Sequence, residues 1–375
     1  MPTYQILLSV STLQNLVRYK QELQSNTIKP GCYLQKQTDS LVKGGTKIEN
    51  VTTEQFLQLL LSTKKIICFA ESEIVGDGTD WNRSELEILG DISVAMAVKV
   101  FDNGVWGVYE KRFKAHEPPI AATLLFTPGP LLHGNNFRGP TPDFENIFER
   151  GQIDQTKYSK LIKHRLLPVL LYASETAKSE GKKALVVLPG IGCGAFAGRF
   201  CGKMGEFLNK ALQALLEENE AHLTNIACVR FDPFAECQDF ERIIHGVKYR
   251  VRRNIGPLGK PQLCRVDDYE ESDNEFRDCT LYKVVAWDHA SLPGNDYYAG
   301  SRSTDDGVTA AATDSMRVIT GVEGRYSEGH YLPPEGYHTW KGVATKLESK
   351  LVVDENVMVA AHDGTLVHLK DISLV

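Results

Sequence analysis

Three aspartates lie close together in the segment AWDHASLPGNDYYAGSRSTDDG, residues 286–307. Asp288 follows an apolar strand-like run, Asp296 follows a Pro-Gly-Asn turn, and Asp306 lies at the start of a helical pattern. Carboxylates delivered by one loop repel one another unless hydroxyls, a cation or a guanidinium share the space, so the cluster indicates a functional site. Asp305 is interpreted as a capping residue of the same helix. A solvated acidic loop is the alternative interpretation.

A glycine-rich loop is the second stretch whose residues suit chemistry. The apolar run 184–188 predicts a buried strand, and apolar residues at helical spacing over 200–215 predict a helix, with glycines concentrated between them. Glycine lets a backbone approach an anion, and the N–H groups and dipole of a helix start favour negative charge. The loop is therefore interpreted as a diphosphate cradle, with Phe196 against a nucleoside. Its residues are Gly190, Ile191, Gly192, Cys193, Gly194, Ala195 and Phe196.

Three other interpretations of the glycine loop stay open. It can be a tight turn without a ligand, or a dinucleotide fingerprint in the relaxed G-x-G-x-x-A form. The fingerprint fits poorly, because the next strand ends near Asp232, beyond the ~20 residues at which a ribose-binding acid is expected. Cys193 and Arg199 also have the C-x5-R spacing of cysteine phosphatases, in which a thiolate attacks phosphate. Gly192 before the cysteine and Phe200 after the arginine depart from that pattern.

Alternating strand and helix patterns surround both stretches and predict an α/β fold. The predicted strands are 4–10, 65–70, 93–101, 121–126, 184–188, 225–231 and 281–287, with a terminal hairpin across 362–364. The predicted helices are 12–24, 53–61, 156–178, 200–215 and 308–319. Residues 31–50 are predicted to be turn-rich, and residues 246–277 to carry solvated charge.

Three further segments have weaker patterns. Asp102-Asn103-Gly104 ends a predicted strand and is interpreted either as a ligand-binding turn or, preferentially, as a hairpin turn. The loop 127–151 is predicted to be a lid, a partner contact or a solvated loop, and its polar residues are His133, Asn135, Asn136 and Arg138. The basic run 163–165 is predicted to lie on the outer face of its helix.

Composition narrows the function classes. A chain of 375 residues with 42% hydrophobic content can bury a large core, and its net charge of −6 argues against nucleic acid as the main partner. No apolar run approaches the ~18 residues of a membrane span, and the start of the sequence does not have a signal-peptide pattern. The eight cysteines form no C-x-x-C pair, so we expect no metal and a reducing compartment.

The two chemical stretches together resemble the macrodomain superfamily. The segment GIGCGAFAG after a strand resembles a macrodomain diphosphate loop, and GCGAF is similar to that of poly(ADP-ribose) glycohydrolases. The segment 286–307, with its three aspartates, resembles MavL-type macrodomains, which are bacterial effectors that remove ADP-ribose from an arginine of ubiquitin. The glycohydrolase signature of three glycines and paired glutamates is absent, so the resemblance does not imply cleavage of poly(ADP-ribose) chains.

The resemblance implies an α/β, macrodomain-like three-layer sandwich with a mixed, mainly parallel central sheet flanked by helices, plus terminal additions. Its parts would be an N-terminal extension packed on the core (1–64), an ADP-ribose-binding core (65–325) and a C-terminal segment (326–375). Catalysis would fall to Asp288, Asp296 and Asp306, with the first two at the ribose and water and the third at a guanidinium. Phe101, Asp102 and Asn103 would form part of a nucleoside pocket.

The function that the resemblance implies is removal of mono-ADP-ribose from a protein side chain, an arginine, with ubiquitin as the candidate protein. A reader that binds ADP-ribose without cleaving it is the alternative. The expected partners are ADP-ribose and an ADP-ribosylated protein, with no cofactor, metal, nucleic acid or membrane. We expect a cytosolic monomer, and for a bacterial effector we expect secretion into the host cytosol.

Overall fold

A ten-stranded mixed sheet forms the centre of the protein among the residues that the computed structural model describes, which are 3–45, 48–69, 73–74, 79–107, 111–133, 141–253 and 262–372. The strand order is β14-β13-β1-β2-β3-β10-β6-β7-β9-β8. Its strands are β1 (Tyr4–Ser9), β2 (Ser93–Gly107), β3 (Arg112–Pro128), β6 (Lys183–Pro189), β7 (Ile226–Asp232), β8 (Phe240–Ile244), β9 (Val247–Val251), β10 (Cys279–Trp287), β13 (Val357–Ala360) and β14 (Leu366–His368). Two small hairpins consist of β4 (Phe148–Glu149) with β5 (Gln152–Ile153), and of β11 (Arg325–Ser327) with β12 (His330–Leu332).

Helices cover both faces of this sheet. They are α1 (Val10–Gln24), α2 (Cys32–Lys43), α3 (Thr53–Leu61), α4 (Arg83–Gly90), α5 (Pro142–Ile147), α6 (Gln155–Ser179), α7 (Met204–Glu218), α8 (Asp305–Ala312), α9 (Ser315–Thr320) and α10 (Trp340–Lys346). One buried cluster joins Val186 and Leu188 to α6 and α7. The other joins Leu185 and Val187 to α1, α3 and α8. Because alternate residues of β6 enter different clusters, this central strand is apolar from Ala184 to Leu188.

The chain termini contribute strands to the central sheet. Strand β1 lies between β13, to which it is parallel, and β2, to which it is antiparallel. The segment 1–64 therefore supplies a strand of the sheet as well as helices that pack on it. Helix α1 begins after Ser9, whose hydroxyl accepts the Thr12 N–H at 3.0 Å, so Ser9 and not Thr12 is the cap. The predicted terminal hairpin is confirmed as β13–β14.

Several predicted elements are wrong in type or extent. The segment predicted to be turn-rich contains α2, whose Leu34 and Thr38 are buried. The predicted strand 65–70 is reduced to a single bridge between Lys65 and Ser291, and residue 70 lies outside the described residues. The predicted helix 308–319 is two helices, α8 and α9, that are separated at Thr313 and Asp314.

The segment Asp102-Asn103-Gly104 is an irregularity inside β2 and not a hairpin turn. Strand β2 continues to Gly107, and its pairing with β3 shifts register on both sides of Asp102. An irregularity of this kind redirects side chains without ending the strand. The predicted loop 127–151 contains α5 and β4, the first strand of the β4–β5 hairpin, while Asn135, Asn136 and Arg138 lie outside the described residues.

Some of the charged side chains that the sequence analysis predicts to be exposed to solvent are instead buried in ion pairs. Arg165 of α6 is 1% exposed, because its guanidinium pairs with Asp91 at 3.0 Å and with Asp143 at 2.6 Å. In the segment 246–277, Arg250 is likewise buried and pairs with Glu275 at 2.6 Å. The basic and acidic parts of that segment therefore bind each other. Among the described residues, no helix has the length and apolar character of a membrane span.

Candidate active site

A cleft of about 600 Å³ opens where the central sheet divides. Strands β10 and β6 pair as far as Lys283 and Val187, after which β10 continues beside β3 and β6 beside β7. The glycine loop follows β6 and the aspartate loop follows β10, so the two chemical stretches border one cleft. The ends of parallel strands at such a division are a common place for ligands.

The glycine loop is held by close backbone contacts on the side away from the cleft. A Cβ on Gly192 would lie 2.8 Å from the Pro130 nitrogen, and Gly192 has a φ of +71°, so this position requires glycine. The N–H groups of Leu132 and His133 both donate to the Phe196 carbonyl, at 2.7 and 2.9 Å. The segment after β3 thus fixes the far end of the loop.

Most residues of the predicted cradle line the cleft, and two of them have N–H groups without an acceptor among the described residues. Five of the seven predicted cradle residues line the cleft, namely Gly190, Gly192, Gly194, Ala195 and Phe196. Within the described part of the chain, the N–H groups of Gly192 and Gly194 have no hydrogen-bond acceptor. The other two predicted residues, Ile191 and Cys193, turn their side chains into the core. The arrangement suits an anion bound by backbone N–H groups.

Asp288 is buried and bonded to its own turn. Its Oδ1 accepts the N–H groups of Ala290 and Ser291 at 2.7 and 2.6 Å, and its Oδ2 accepts the Ser291 hydroxyl. The carboxylate lines the cleft while it fixes the start of the aspartate loop. A carboxylate oxygen has two acceptor sites, so Oδ2 keeps one for a ligand.

Asp306 holds the middle of the same loop. The N–H groups of Gly294 and Asn295 donate to its Oδ1 and Oδ2 at 2.7 and 2.6 Å. Burial raises the pKa of Asp306 well above its ordinary value, and the charges of Asp288 and Asp296 add to this effect while the two N–H bonds oppose it. Asp306 therefore joins the helix α8 to the turn that carries Asp296.

Asp296 is the least constrained of the three aspartates. It is partly exposed, it lines the cleft, and the Ser303 hydroxyl donates to its Oδ2 at 3.1 Å. In contrast with Asp288 and Asp306, no backbone N–H group donates to its carboxylate within the described residues. All three aspartates reach one cleft, and Asp296 has the freest carboxylate.

Asp305 is not the capping residue of α8. The Thr304 hydroxyl accepts the Gly307 N–H at 3.0 Å, so Thr304 is the cap. Asp305 lines the cleft, where its Oδ2 accepts the Ala286 N–H at 2.8 Å and its Oδ1 lies 3.5 Å from Lys283 Nζ. The sequence identifies Asp305 as an acidic residue at the start of this helix, but it does not identify Lys283 as the partner of Asp305.

Cations on the sheet are site residues that the sequence interpretation missed. Lys283, Arg230 and Arg252 line the cleft, and Lys283 and Arg230 are both in register with Val187 on β6, so they lie on the same face. Arg252 is paired with Glu271 at 2.6 Å. A lysine inside the apolar run LYKVVAW was the available signal, because a charge in a buried strand needs a partner. The cleft therefore has a basic floor and an acidic loop.

None of Phe101, Asp102 and Asn103, the residues predicted to form part of a nucleoside pocket, lines the cleft. The Asp102 carboxylate is fully buried and accepts the Arg302 guanidinium at 2.9 Å and the Tyr326 hydroxyl at 2.8 Å. Phe101 stacks on Tyr326 with ring centroids 4.9 Å apart. The Asn103 carbonyl accepts the N–H groups of Gln262 and Leu263 at 3.0 and 3.2 Å. These residues anchor the aspartate loop through Arg302.

The structure also removes the basis for a cysteine phosphatase. Cys193 is 2% exposed, its side chain does not line the cleft, and burial raises the pKa of its thiol. The Arg199 guanidinium lies over the rings of Phe148 and Phe200, 5.0 Å from each centroid, and Arg199 does not line the cleft. A nucleophilic cysteine needs an accessible, low-pKa thiol, and neither condition holds.

A buried lysine supports the start of the aspartate loop. Lys64 Nζ donates to the His289 carbonyl at 2.6 Å and lies 4.1 Å from the centroid of the Trp287 ring. Burial lowers the pKa of Lys64 to about 8, and the nearby charge of Asp288 limits the fall. Among the described residues, no group of three or more histidine, cysteine or acidic side chains is arranged to hold a metal.

A protein-family model described as "Macrodomain effector MavL" matches residues 4–337, which is most of the chain. No curated protein matches the sequence.

Proposed function

Because the chain belongs to the family of MavL macrodomain effectors, we propose that it is an ADP-ribosylhydrolase that removes mono-ADP-ribose from a protein side chain. The macrodomain fold with terminal additions, which the resemblance implied, is confirmed by the family match and by the mixed, mainly parallel sheet between helices. Membership suggests binding and hydrolysis at an ADP-ribose group. The arginine linkage and ubiquitin as the protein are our proposals.

One observation carries the proposal: a cradle of free N–H groups and three carboxylates border the same cleft. ADP-ribose has a diphosphate between two riboses. The diphosphate would bind the N–H groups of Gly192 and Gly194, next to a basic floor, and the distal ribose would lie at the aspartate loop. An ADP-ribose reader needs the cradle, but it does not need three carboxylates at the ribose.

The adenosine would extend in the opposite direction, toward the ends of β7 and β9. Phe234, Arg252 and Gln262 line that part of the cleft, and Phe234 is 54% exposed. An exposed aromatic ring beside polar groups suits a base, which needs both a stacking surface and hydrogen bonds. This placement replaces the pocket predicted at 101–103.

Hydrolysis of an arginine linkage would proceed as follows. Water attacks the anomeric carbon of the distal ribose while the bond from that carbon to the guanidinium nitrogen breaks, through an oxocarbenium-like state that carboxylates stabilise. Asp296 takes the proton from the water and returns it to the departing neutral guanidine, which becomes the arginine cation. Asp288 would bind ribose hydroxyls, and Asp306 would face the guanidinium.

The reaction can be tested on ubiquitin that carries mono-ADP-ribose on arginine, with release of free ADP-ribose as the readout. Wild type is compared with Asp296→Asn and with the matched control Asp273→Asn, since Asp273 is exposed and does not line the cleft. ADP-ribose affinity is measured by calorimetry. We expect release by wild type and by the control, and loss of release with retained binding in Asp296→Asn.

Other outcomes would correct the proposal at a defined level. Tight binding without release indicates a reader, and release only from a serine- or glutamate-linked protein replaces the arginine linkage. Release from other arginine-linked proteins but not from ubiquitin replaces the protein substrate. If wild type binds no ADP-ribose, the proposed function is wrong. We further propose that the protein acts in the cytosol of a host cell, because the matching family is described as an effector family. We also propose that it acts as a monomer.

A further inference from the structure

Two charged side chains lie at the base of the cleft, at the place where strands β10 and β6 separate. The last paired row of β10 and β6 is Lys283 with Val187. Beyond it, the Ala286 N–H of β10 donates to the Asp305 carboxylate at 2.8 Å. Asp305, near the end of the aspartate loop, therefore lies where the two strands part.

Lys283 is the cation at this point. It is 2% exposed although it lines the cleft, and the ion pair of its Nζ with Asp305 Oδ1 is 3.5 Å long. Within the described residues, its ammonium has no hydrogen-bond acceptor closer than that. An ammonium has three donors, so a buried one with a single long contact is not satisfied by the protein alone.

Asp305 is unsatisfied on the side that faces Lys283. Its Oδ2 is used by the Ala286 N–H, whereas its Oδ1 is buried and has no hydrogen-bond partner among the residues that the structure describes. Buried polar atoms without partners are rare in folded proteins and suggest that a ligand or water completes the site. Donors on the ammonium and an acceptor on Oδ1 thus face one another across a small gap at the base of the cleft.

A hydroxyl group fits this pair better than a phosphate does. It can accept from the Lys283 ammonium and donate to Asp305 Oδ1, whereas a phosphate oxygen would be repelled by the carboxylate. We propose that Lys283 and Asp305 form a binding subsite for one ribose hydroxyl of the ligand. The inference rests on the proposed function, and it adds that this hydroxyl is required for tight binding of ADP-ribose.

The hydroxyl can belong to the distal ribose or to the adenosine ribose, and ligand analogues separate the two sources. Calorimetry would compare ADP-ribose with analogues that lack single hydroxyls on either ribose, and with ADP, which lacks the distal ribose. Each ligand is titrated into wild type, Lys283→Met and, as a control for the same substitution at an exposed position, Lys182→Met.

We expect one deoxy analogue to bind wild type about tenfold or more weakly than ADP-ribose does, since a hydrogen bond to a charged group is lost. Lys283→Met should show nearly the same affinity for that analogue as for ADP-ribose, because its partner is already gone. If the hydroxyl lies on the distal ribose, Lys283→Met should cost ADP-ribose more affinity than it costs ADP. If it lies on the adenosine ribose, the two ligands should lose affinity by the same factor.

The inference is wrong if every deoxy analogue binds wild type within about twofold of ADP-ribose, a result that does not depend on any variant folding. It is also wrong if wild type and Lys283→Met lose the same factor with each analogue, since Lys283 would then only neutralise Asp305. Asp305→Asn gives an independent test, because the same analogue should lose its disadvantage there. Failure of wild type to bind ADP-ribose would overturn the proposed function and this inference together.

Discussion

Replacement by asparagine should affect Asp306 and Asp296 differently: at Asp306 it should lower stability, and at Asp296 it should lower activity. In Asp306→Asn, the amide oxygen can accept one of the two backbone N–H groups, but the amide nitrogen then faces the other N–H of Gly294 or Asn295. In Asp296→Asn, the Ser303 hydroxyl can still donate to the amide oxygen. The first substitution therefore damages the loop, whereas the second leaves it intact.

The size of each effect follows from these contacts. An unsatisfied buried donor costs about 1–3 kcal/mol, so Asp306→Asn should lower the free energy of unfolding by that amount. With an unfolding entropy of about 2.1 cal/mol/K per residue, the melting temperature should fall by about 1–4 °C. Asp296→Asn should change the free energy by less than about 0.5 kcal/mol. As the proposed base for water, it should nevertheless lower kcat by about 10² to 10⁴.

The assay combines thermal melts of both variants with single-turnover release of ADP-ribose from arginine-linked ubiquitin. Calorimetry with ADP-ribose separates lost binding from lost chemistry. We expect Asp296→Asn to melt with wild type, to bind ADP-ribose and to release almost none. The reasoning is refuted if Asp296→Asn keeps kcat within about threefold, or if Asp306→Asn melts at the wild-type temperature.

Three further predictions concern buried groups around the cleft. Cys193→Ala should keep activity within about twofold, and iodoacetamide should leave Cys193 unmodified in the native protein, which mass spectrometry can check. Arg165→Met leaves Asp91 and Asp143 buried without their cation, so urea denaturation should show a loss of about 3–5 kcal/mol. The lowered pKa of Lys64, about 8 against the ordinary 10.5, means that between these pH values the unfolded chain binds a proton that the native protein does not. Wild type should therefore gain up to about 3 kcal/mol of stability relative to Lys64→Met as pH rises from 7.5 to 10.5, and no gain would show that the native lysine stays charged.

The sequence predicts the central strands and the glycine loop well because their signals are local. The strand β6 and the helix α7 are short-range hydrophobic patterns, and the glycines between them restrict what the backbone can do. The family resemblance, which the match over 4–337 confirms, depends on the same two segments. Helix α2 was missed because its sequence, CYLQKQTDSLVK, is mostly polar and buries only two residues.

The parts of the site that the sequence does not predict depend on contacts between distant segments. Asp102 looks like a turn residue until Arg302 and Tyr326 are placed beside it, and both lie in a later part of the chain. Arg165 looks like an outer residue of an amphipathic helix until Asp91 and Asp143 are known. A buried charge is recognised by its partner, and sequence spacing carries no information about a partner in another element.

The difference between the three aspartates has the same origin. Their spacing in the sequence indicates one acidic cluster. Their roles in the structure differ, because the three carboxylates face different backbone groups. Gly294 has a φ of +87°, and its N–H and that of Asn295 point into the protein, where Asp306 accepts both. An acceptor is needed at that point to bury the turn, whatever reaction the cleft performs. A carboxylate that already holds the backbone is preorganised for binding, but it has fewer free acceptor sites for a proton. Among the residues that the structure describes, none donates a backbone N–H to the Asp296 carboxylate, and Asp296 is therefore the acid that we expect to take part in proton transfer.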